Sequence, residues 1–261
     1  MRPALAALSS PMPTTGGSIR LFRLAGIEVF LHWSWFLIAI YEVQVWRSMF
    51  SSPVWAVLLY VGLFALVTMH EFGHALACRQ VGGQADRIVL WPLGGIAFVR
   101  PPQRAGAMLW SIAAGPLVNL LLIPILTFFL HSAARAGWQS SNPDALRVLL
   151  WIWRINIGLL LFNVLPIYPL DGGQILRAIL WFPLGQIRSL FVATGVGIAG
   201  GIGLLLVAIW QQSIWIGIMA FFLLSQAGVG WRQAQYLKLE AMEAPRIVPD
   251  PSAPPEKKPV F

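Results

Sequence analysis

Charge is what this chain has least of. Only 11% of its 261 residues are Asp, Glu, Lys or Arg, where a soluble domain carries about 25%. A globule of this size needs a charged surface, so the deficit argues against a water-soluble protein. With 57% hydrophobic residues, the chain is neither intrinsically disordered nor a collagen-like fibre. Cysteine is nearly missing: Cys78 stands alone, which excludes an internal disulfide framework and leaves the redox compartment unmarked. The 10 acidic residues are outnumbered by 18 basic ones, for a net charge of +8. A basic excess can signal nucleic acid. Basic residues scattered between long apolar runs report membrane topology instead, and no nucleic-acid partner is expected.

What the chain does have is apolar length. Segments 27–46, 54–77, 108–131, 147–168, 188–209 and 213–230 each approach the roughly 20 residues needed to cross a bilayer. The expected fold is an all-α polytopic membrane protein with about six transmembrane helices. With the N-terminus inside, all basic residues except Arg47, Arg135, Arg147 and Arg154 fall on the inner side. That bias puts both termini in the cytoplasm of a multi-pass protein, in a bacterial or archaeal cell membrane. Many of the 13 Trp lie near helix ends, as interfacial anchors do. Residues 1–24 read as a flexible arm; the stretch 1–17 has no apolar core and is not read as a signal peptide. Residues 25–231 form the membrane domain, with a core over about 54–176, and 232–261 a Pro-rich tail. Between the second and third spans, 84-QADRIVLWPLGGIAFVR-100 is apolar but broken by Pro92, Gly94 and Gly95. Its β-branched and aromatic residues favour extended backbone, so a small membrane-associated β-hairpin or sheet is expected there. Its edge could pair with an unwound substrate segment.

Chemistry concentrates in the second span, which contains His70-Glu71-Phe72-Gly73-His74. Two histidines four residues apart share one helix face and can meet one ion. Glu71, beside the first of them, can activate a water on that ion as general base. This pattern on a helix is the mark of a zinc metalloprotease, and ionisable groups within a membrane span are costly and usually functional. Catalytic zinc normally takes three protein ligands. His131 sits at the outer rim of the third span, and His32 suits a hydrogen-bonded or substrate-facing role better than ligation. The better third ligand is Asp171, in 162-FNVLPIYPLDGGQIL-176, where Pro166, Pro169, Gly172 and Gly173 break regular backbone. Irregular backbone at membrane depth is tolerated where it lines an enclosed polar cavity. Asn163 can supply hydrogen bonds there, and Asn119 can do so near the ion or the substrate backbone. The competing reading of Asp171 is a helix cap. Cys78 reads as packing, and the glycines of the fifth span as close helix approach.

Together these elements resemble the site-2 protease family of intramembrane zinc metalloproteases. The resemblance rests on His70 to His74, on Ala114-Gly115-Pro116-Leu117-Val118-Asn119, and on Asn163-x-x-Pro166-x-x-Pro169-Leu170-Asp171-Gly172-Gly173, with Leu31-His32-Trp33-Ser34 as a weaker opening match. It points to the compact branch that lacks PDZ and CBS domains. It implies one Zn²⁺ held by His70, His74 and Asp171, with Glu71 as general base, in a three-helix core. Asn119, Asn163, Gly94 and Gly95 are the candidate supporting residues. The implied partners are the lipid bilayer and a transmembrane protein substrate, such as a membrane-anchored regulator. The rival expectations are a catalytically silent zinc-binding membrane scaffold and a metal transporter.

Overall fold

The computed structural model describes residues 17–91 and 94–243. Residues 1–16, Pro92 and the Pro-rich stretch 244–261, on which expectations were also placed, lie outside them. Strands β1 (Ser18–Leu24) and β2 (Ile27–His32) come first, then helix α1 (Ser34–Trp46) and a 3₁₀ turn (Arg47–Met49). Helix α2 (Pro53–Gln80) is followed by β3 (Gln84–Trp91) and β4 (Gly94–Arg100). Helix α3 (Ala105–Arg135), the short α4 (Trp138–Ser141), α5 (Pro143–Val164), α6 (Asp171–Gln211) and α7 (Ile214–Glu243) complete the chain.

Five helices among the described residues, not six, are long and apolar enough to cross a membrane: α2, α3, α5, α6 and α7. The expected first span, 27–46, is β2 followed by the 13-residue α1, only about 20 Å long at 1.5 Å per residue. The reason lies in its first half. Ile27, Val29 and Leu31 are buried while Glu28 and Phe30 are half-buried, which is the period-2 alternation of a strand. Exposed side chains on the long helices, such as Phe128 at 67%, Leu206 at 62% and Phe221 at 74%, form a surface suited to lipid, not water.

The β-hairpin expected between the second and third spans is half of a larger unit. The four strands make one sheet in the order β1-β2-β3-β4. β1 pairs antiparallel with β2, β2 parallel with β3 (Glu28 opposite Arg87, Leu31 opposite Leu90), and β3 antiparallel with β4. Thus residues 18–24, expected in the flexible arm, are a strand. One face of the sheet packs on α2: Ile27, Val29, Leu31, Ile88 and Leu90 close over Ala75 and Cys78. Cys78 is therefore a packing residue, as expected. Likewise 232–243, expected in the tail, continue α7.

Helix α6 is two arms. Gly185 has φ 77° and ψ 170°, a conformation open to glycine and costly for other residues. A straight rod would carry Gly197 about 39 Å from Asp171. Instead Gly197 lies against Tyr168, with its built Cβ 2.6 Å from the Tyr168 carbonyl oxygen. The chain must reverse at Gly185, so the span expected at 188–209 is the returning arm. The reversal sits near the start of α3, where Gln186 Nε2 donates to Gln103 Oε1 at 3.1 Å.

At the opposite end of the molecule, buried Asp144 ties α5 to the segment before α2. It accepts from the Ser51 backbone N–H at 3.0 Å, from the Ser51 hydroxyl, and from Arg147 Nη1 at 2.9 Å. Arg147 also donates to the Met49 carbonyl. Asp144→Ala strands these donors. It is expected to lower the unfolding temperature of the purified protein by a few degrees while leaving its metal content unchanged, because this lock lies far along α5 from the metal centre.

Candidate metal centre

Three elements converge on one point. From α2, His70 and His74 project one turn apart toward α3. From the first residue of α6 comes Asp171. His70 Nε2 and His74 Nε2 stand 3.1 Å apart, and Asp171 Oδ2 lies 3.1 Å from the first and 3.4 Å from the second. All three side chains are buried or nearly so. His74 lies six residues before the end of α2, about 9 Å from it. Gly115 is ten residues into α3, about 15 Å from its start. The cluster is therefore at membrane depth, nearer one side of a hydrocarbon core about 30 Å thick.

Hydrogen bonds fix the imidazoles. His70 Nδ1 donates to Asn119 Oδ1 at 2.6 Å, and His74 Nδ1 donates to the Ser111 carbonyl at 2.9 Å. With both protons held at Nδ1, both Nε2 lone pairs turn toward Asp171. Two lone pairs and a carboxylate oxygen at these separations repel one another unless a cation stands among them. Asp171 Oδ2 itself is buried and has no hydrogen-bond donor among the described residues. Two imidazole nitrogens and one carboxylate oxygen, each ring held by a carbonyl acceptor at its far nitrogen, are a donor set suited to a divalent transition ion. The residues fit such an ion, and these ligand atoms form a group able to hold a metal. A Cβ built on Gly115 would fall 2.9 Å from His70 Nε2 and overlap the His74 ring. Only glycine lets α3 come this near.

Glu71 is 6% exposed. It stands about 100° around α2 from His70, on the stripe of Ala75 and Cys78 that faces the sheet. That stripe adjoins the face that carries His70 and His74, about 60° around the helix from His74. Asp171 opens α6, whose N-cap is Leu170 with no side-chain cap bond, so the competing reading of Asp171 as a cap is set aside.

The remaining expected residues divide. Asn119 is in the cluster's immediate support. Asn163 is half-buried in the last turn of α5, and no hydrogen bond among the described residues brings it to the ligands. Gly94 and Gly95 open β4 opposite Trp91 and Leu90. His32 stacks on Trp91 with ring centroids 4.0 Å apart, in the sheet and outside the ligand group. His131 is exposed at the rim and bonds to the Thr127 carbonyl. Sequence reasoning missed Asn156. It is fully buried on α5, donates from Nδ2 to the Asn119 carbonyl at 2.9 Å, and accepts from Asn119 Nδ2 at 2.8 Å. The signal was available: an Asn in the middle of an apolar span is costly unless it has a partner.

Comparison with known proteins agrees with this geometry. The model of peptidase family M50 matches residues 58–140 and 131–208. A zinc metalloprotease of Methanocaldococcus jannaschii is 32% identical over 207 residues, covering 78% of this chain and 58% of the relative. The chain thus spans about three fifths of that relative's length. The stage IV sporulation protein FB of Bacillus subtilis is 30% identical over 121 residues, 44% of this chain and 37% of that protein. The solved structure of the site-2 protease from Methanocaldococcus jannaschii superposes with a TM-score of 0.58 at 26% identity, covering 82% of this chain and 95% of the other. The matched family segments contain His70, Glu71, His74, Asn119 and Asp171, so the residues that build the metal centre are the ones the likeness includes. By fold, by this centre and by the extent of the match, the chain belongs to peptidase family M50, the family of the site-2 proteases.

Proposed function

We propose that the chain is an intramembrane zinc metalloprotease that hydrolyses a peptide bond within or near a transmembrane segment of another membrane protein. The observation that carries this reading is the cluster of His70, His74 and Asp171 with buried Glu71 beside it. Zinc is favoured by the two-imidazole, one-carboxylate donor set. When bound, it supplies a Lewis acid for the scissile carbonyl and a water acidified toward a pKa of about 7. Glu71 takes a proton from the attacking water and passes it to the leaving amine. His70 and His74, locked by Asn119 and Ser111, keep their Nε2 atoms aimed at one point. Asp171 supplies the third ligand oxygen and neutralises charge at depth.

The substrate must reach this point unwound, since a helix conceals its carbonyls. Among the described residues β4 pairs with β3 alone, and Glu71 sits on the stripe of α2 that faces the sheet. We read the outer edge of β4, opened by Gly94 and Gly95, as the rail on which a substrate strand lies. Asn163 is assigned to the substrate side of the same space. The basic bias toward the ends that carry Arg79, Arg100 and Arg104 supports cytoplasmic termini and a site opening to the cytoplasm.

Two experiments bear on this reading. Single proline replacements through 96–99 remove one backbone donor each. Where that donor faces outward, cleavage is expected to fall roughly tenfold, as one hydrogen bond of about 1.4 kcal/mol requires. Unchanged cleavage at every position, with the fold intact, counts against the rail. Zinc flux and peptide cleavage measured on the same proteoliposomes address the activity itself. Cleavage without flux is expected, and flux without cleavage would turn the reading toward a transporter.

A further inference from the structure

Asn119 has two chemically different ends, and only one orientation serves the metal centre. Its Oδ1 must face His70, because an acceptor there holds the imidazole proton at Nδ1 and leaves Nε2 with a lone pair. Rotating the amide by 180° would present an N–H₂ to His70 Nδ1. The ring proton would then move to Nε2, and His70 would no longer be a ligand. Nothing within Asn119 prefers one orientation over the other. The choice is made by a residue on another helix. Asn156 Oδ1 accepts from Asn119 Nδ2 at 2.8 Å, and Asn156 Nδ2 donates to the Asn119 carbonyl at 2.9 Å. The second bond fixes the Asn156 amide, because a carbonyl can only accept. That leaves Asn156 Oδ1 to face Asn119, which forces Asn119 Nδ2 toward α5 and Oδ1 toward α2. Both asparagines are fully buried, so no water competes for these groups, and reversing either amide would set acceptor against acceptor or donor against donor.

We infer that Asn156 is a positioning residue which, through Asn119, sets the tautomer of His70 and so its capacity to ligate. The chain of command runs from a backbone carbonyl of α3, through a side chain of α5, back to a side chain of α3, and ends on α2. The three core helices must therefore be assembled before His70 becomes a ligand. The inference rests on the metal-centre reading above. Partners of a ligating histidine typically change metal affinity 10–100-fold when removed.

The test is metal affinity, measured by chelator competition on the full-length protein in lipid nanodiscs, together with the visible spectrum of the Co²⁺-loaded form. Asn156→Leu is expected to weaken zinc binding about tenfold and to alter the Co²⁺ bands. In an Asn119→Ala background the same change is expected to add less than about twofold, because its route to His70 is already cut. Asn156→Asp, which burial keeps protonated, can still donate to the Asn119 carbonyl and accept from its Nδ2. It is expected to bind zinc within about threefold of wild type. If Asn156→Leu binds zinc as wild type does, the inference is overturned while the metal centre stands. An equal loss with and without Asn119, or a loss in Asn156→Asp as large as in Asn156→Leu, shows a packing role and overturns it too. A wild-type protein that takes up no metal overturns both readings.

Discussion

Replacing Glu71 by Gln is expected to leave one metal ion per chain and to slow hydrolysis of a membrane peptide by about 10²–10⁴-fold, the usual contribution of general acid–base catalysis. Gln matches Glu in size, and Glu71 is not among the ligand atoms that meet at the cluster. It retains hydrogen-bonding capacity in a buried position but cannot carry a proton from water to an amine. The prediction separates two roles that activity alone would merge. Loss of the metal together with activity would make Glu71 a ligand or a structural support. Retention of both would remove it from the chemistry. Only metal retained and cleavage lost agrees with the general-base assignment.

The second large effect comes from a residue with no side chain. Gly115→Ala adds one carbon where the built Cβ overlaps the His74 ring and lies 2.9 Å from His70 Nε2. The ring cannot simply swing away, since the Ser111 carbonyl holds its Nδ1 and His70 stands on its other side. Either α3 retreats from α2 or His74 leaves the cluster. Zinc affinity is expected to fall about 100-fold or more, at or beyond the upper end of the effect of losing a supporting partner. The control is Gly106→Ala, on the same helix nearer its start. There, among the described residues, the added carbon meets Phe182 alone, at 4.0 Å, so affinity is expected to be unchanged and the helix slightly favoured. Chelator competition on the two variants reads both outcomes. Equal affinities would show that α3 and α2 can separate without cost to the site.

The residues that build the centre were legible to different degrees, for physical reasons. His70 and His74 are a local pattern, because helix periodicity alone sets them on one face. Asp171 could be found from its prolines and glycines, which mark a break in a span. Asn156 is informative only through its partner on another helix, and hydropathy averages it away within α5. The same averaging hid β2. The run 27–46 has the length of a span, but its first five residues alternate at period 2, and the parallel pairing of Glu28–Leu31 with Arg87–Leu90 is a contact across the whole of α2 that no local window can see. Strand β1 was lost with it, since its role depends on β2. The reversal at Gly185 was also out of reach. Glycine permits that conformation but does not require it, and the decisive fact is the seat of Gly197 against Tyr168. Helix periodicity and backbone breakers thus located the chemistry, while the sheet that flanks it and the amide that orients it are products of long-range pairing.

The central claim is metal-dependent hydrolysis at membrane depth. Its most direct test is mass spectrometry of the fragments formed when the purified protein and a transmembrane peptide share a lipid nanodisc, before and after metal removal. The account predicts new termini within the peptide's membrane-spanning stretch or at its edge, disappearance of those fragments on chelation, and their return with one equivalent of zinc. An uncut peptide beside fully zinc-loaded protein, or fragments that persist after the metal is gone, would contradict it.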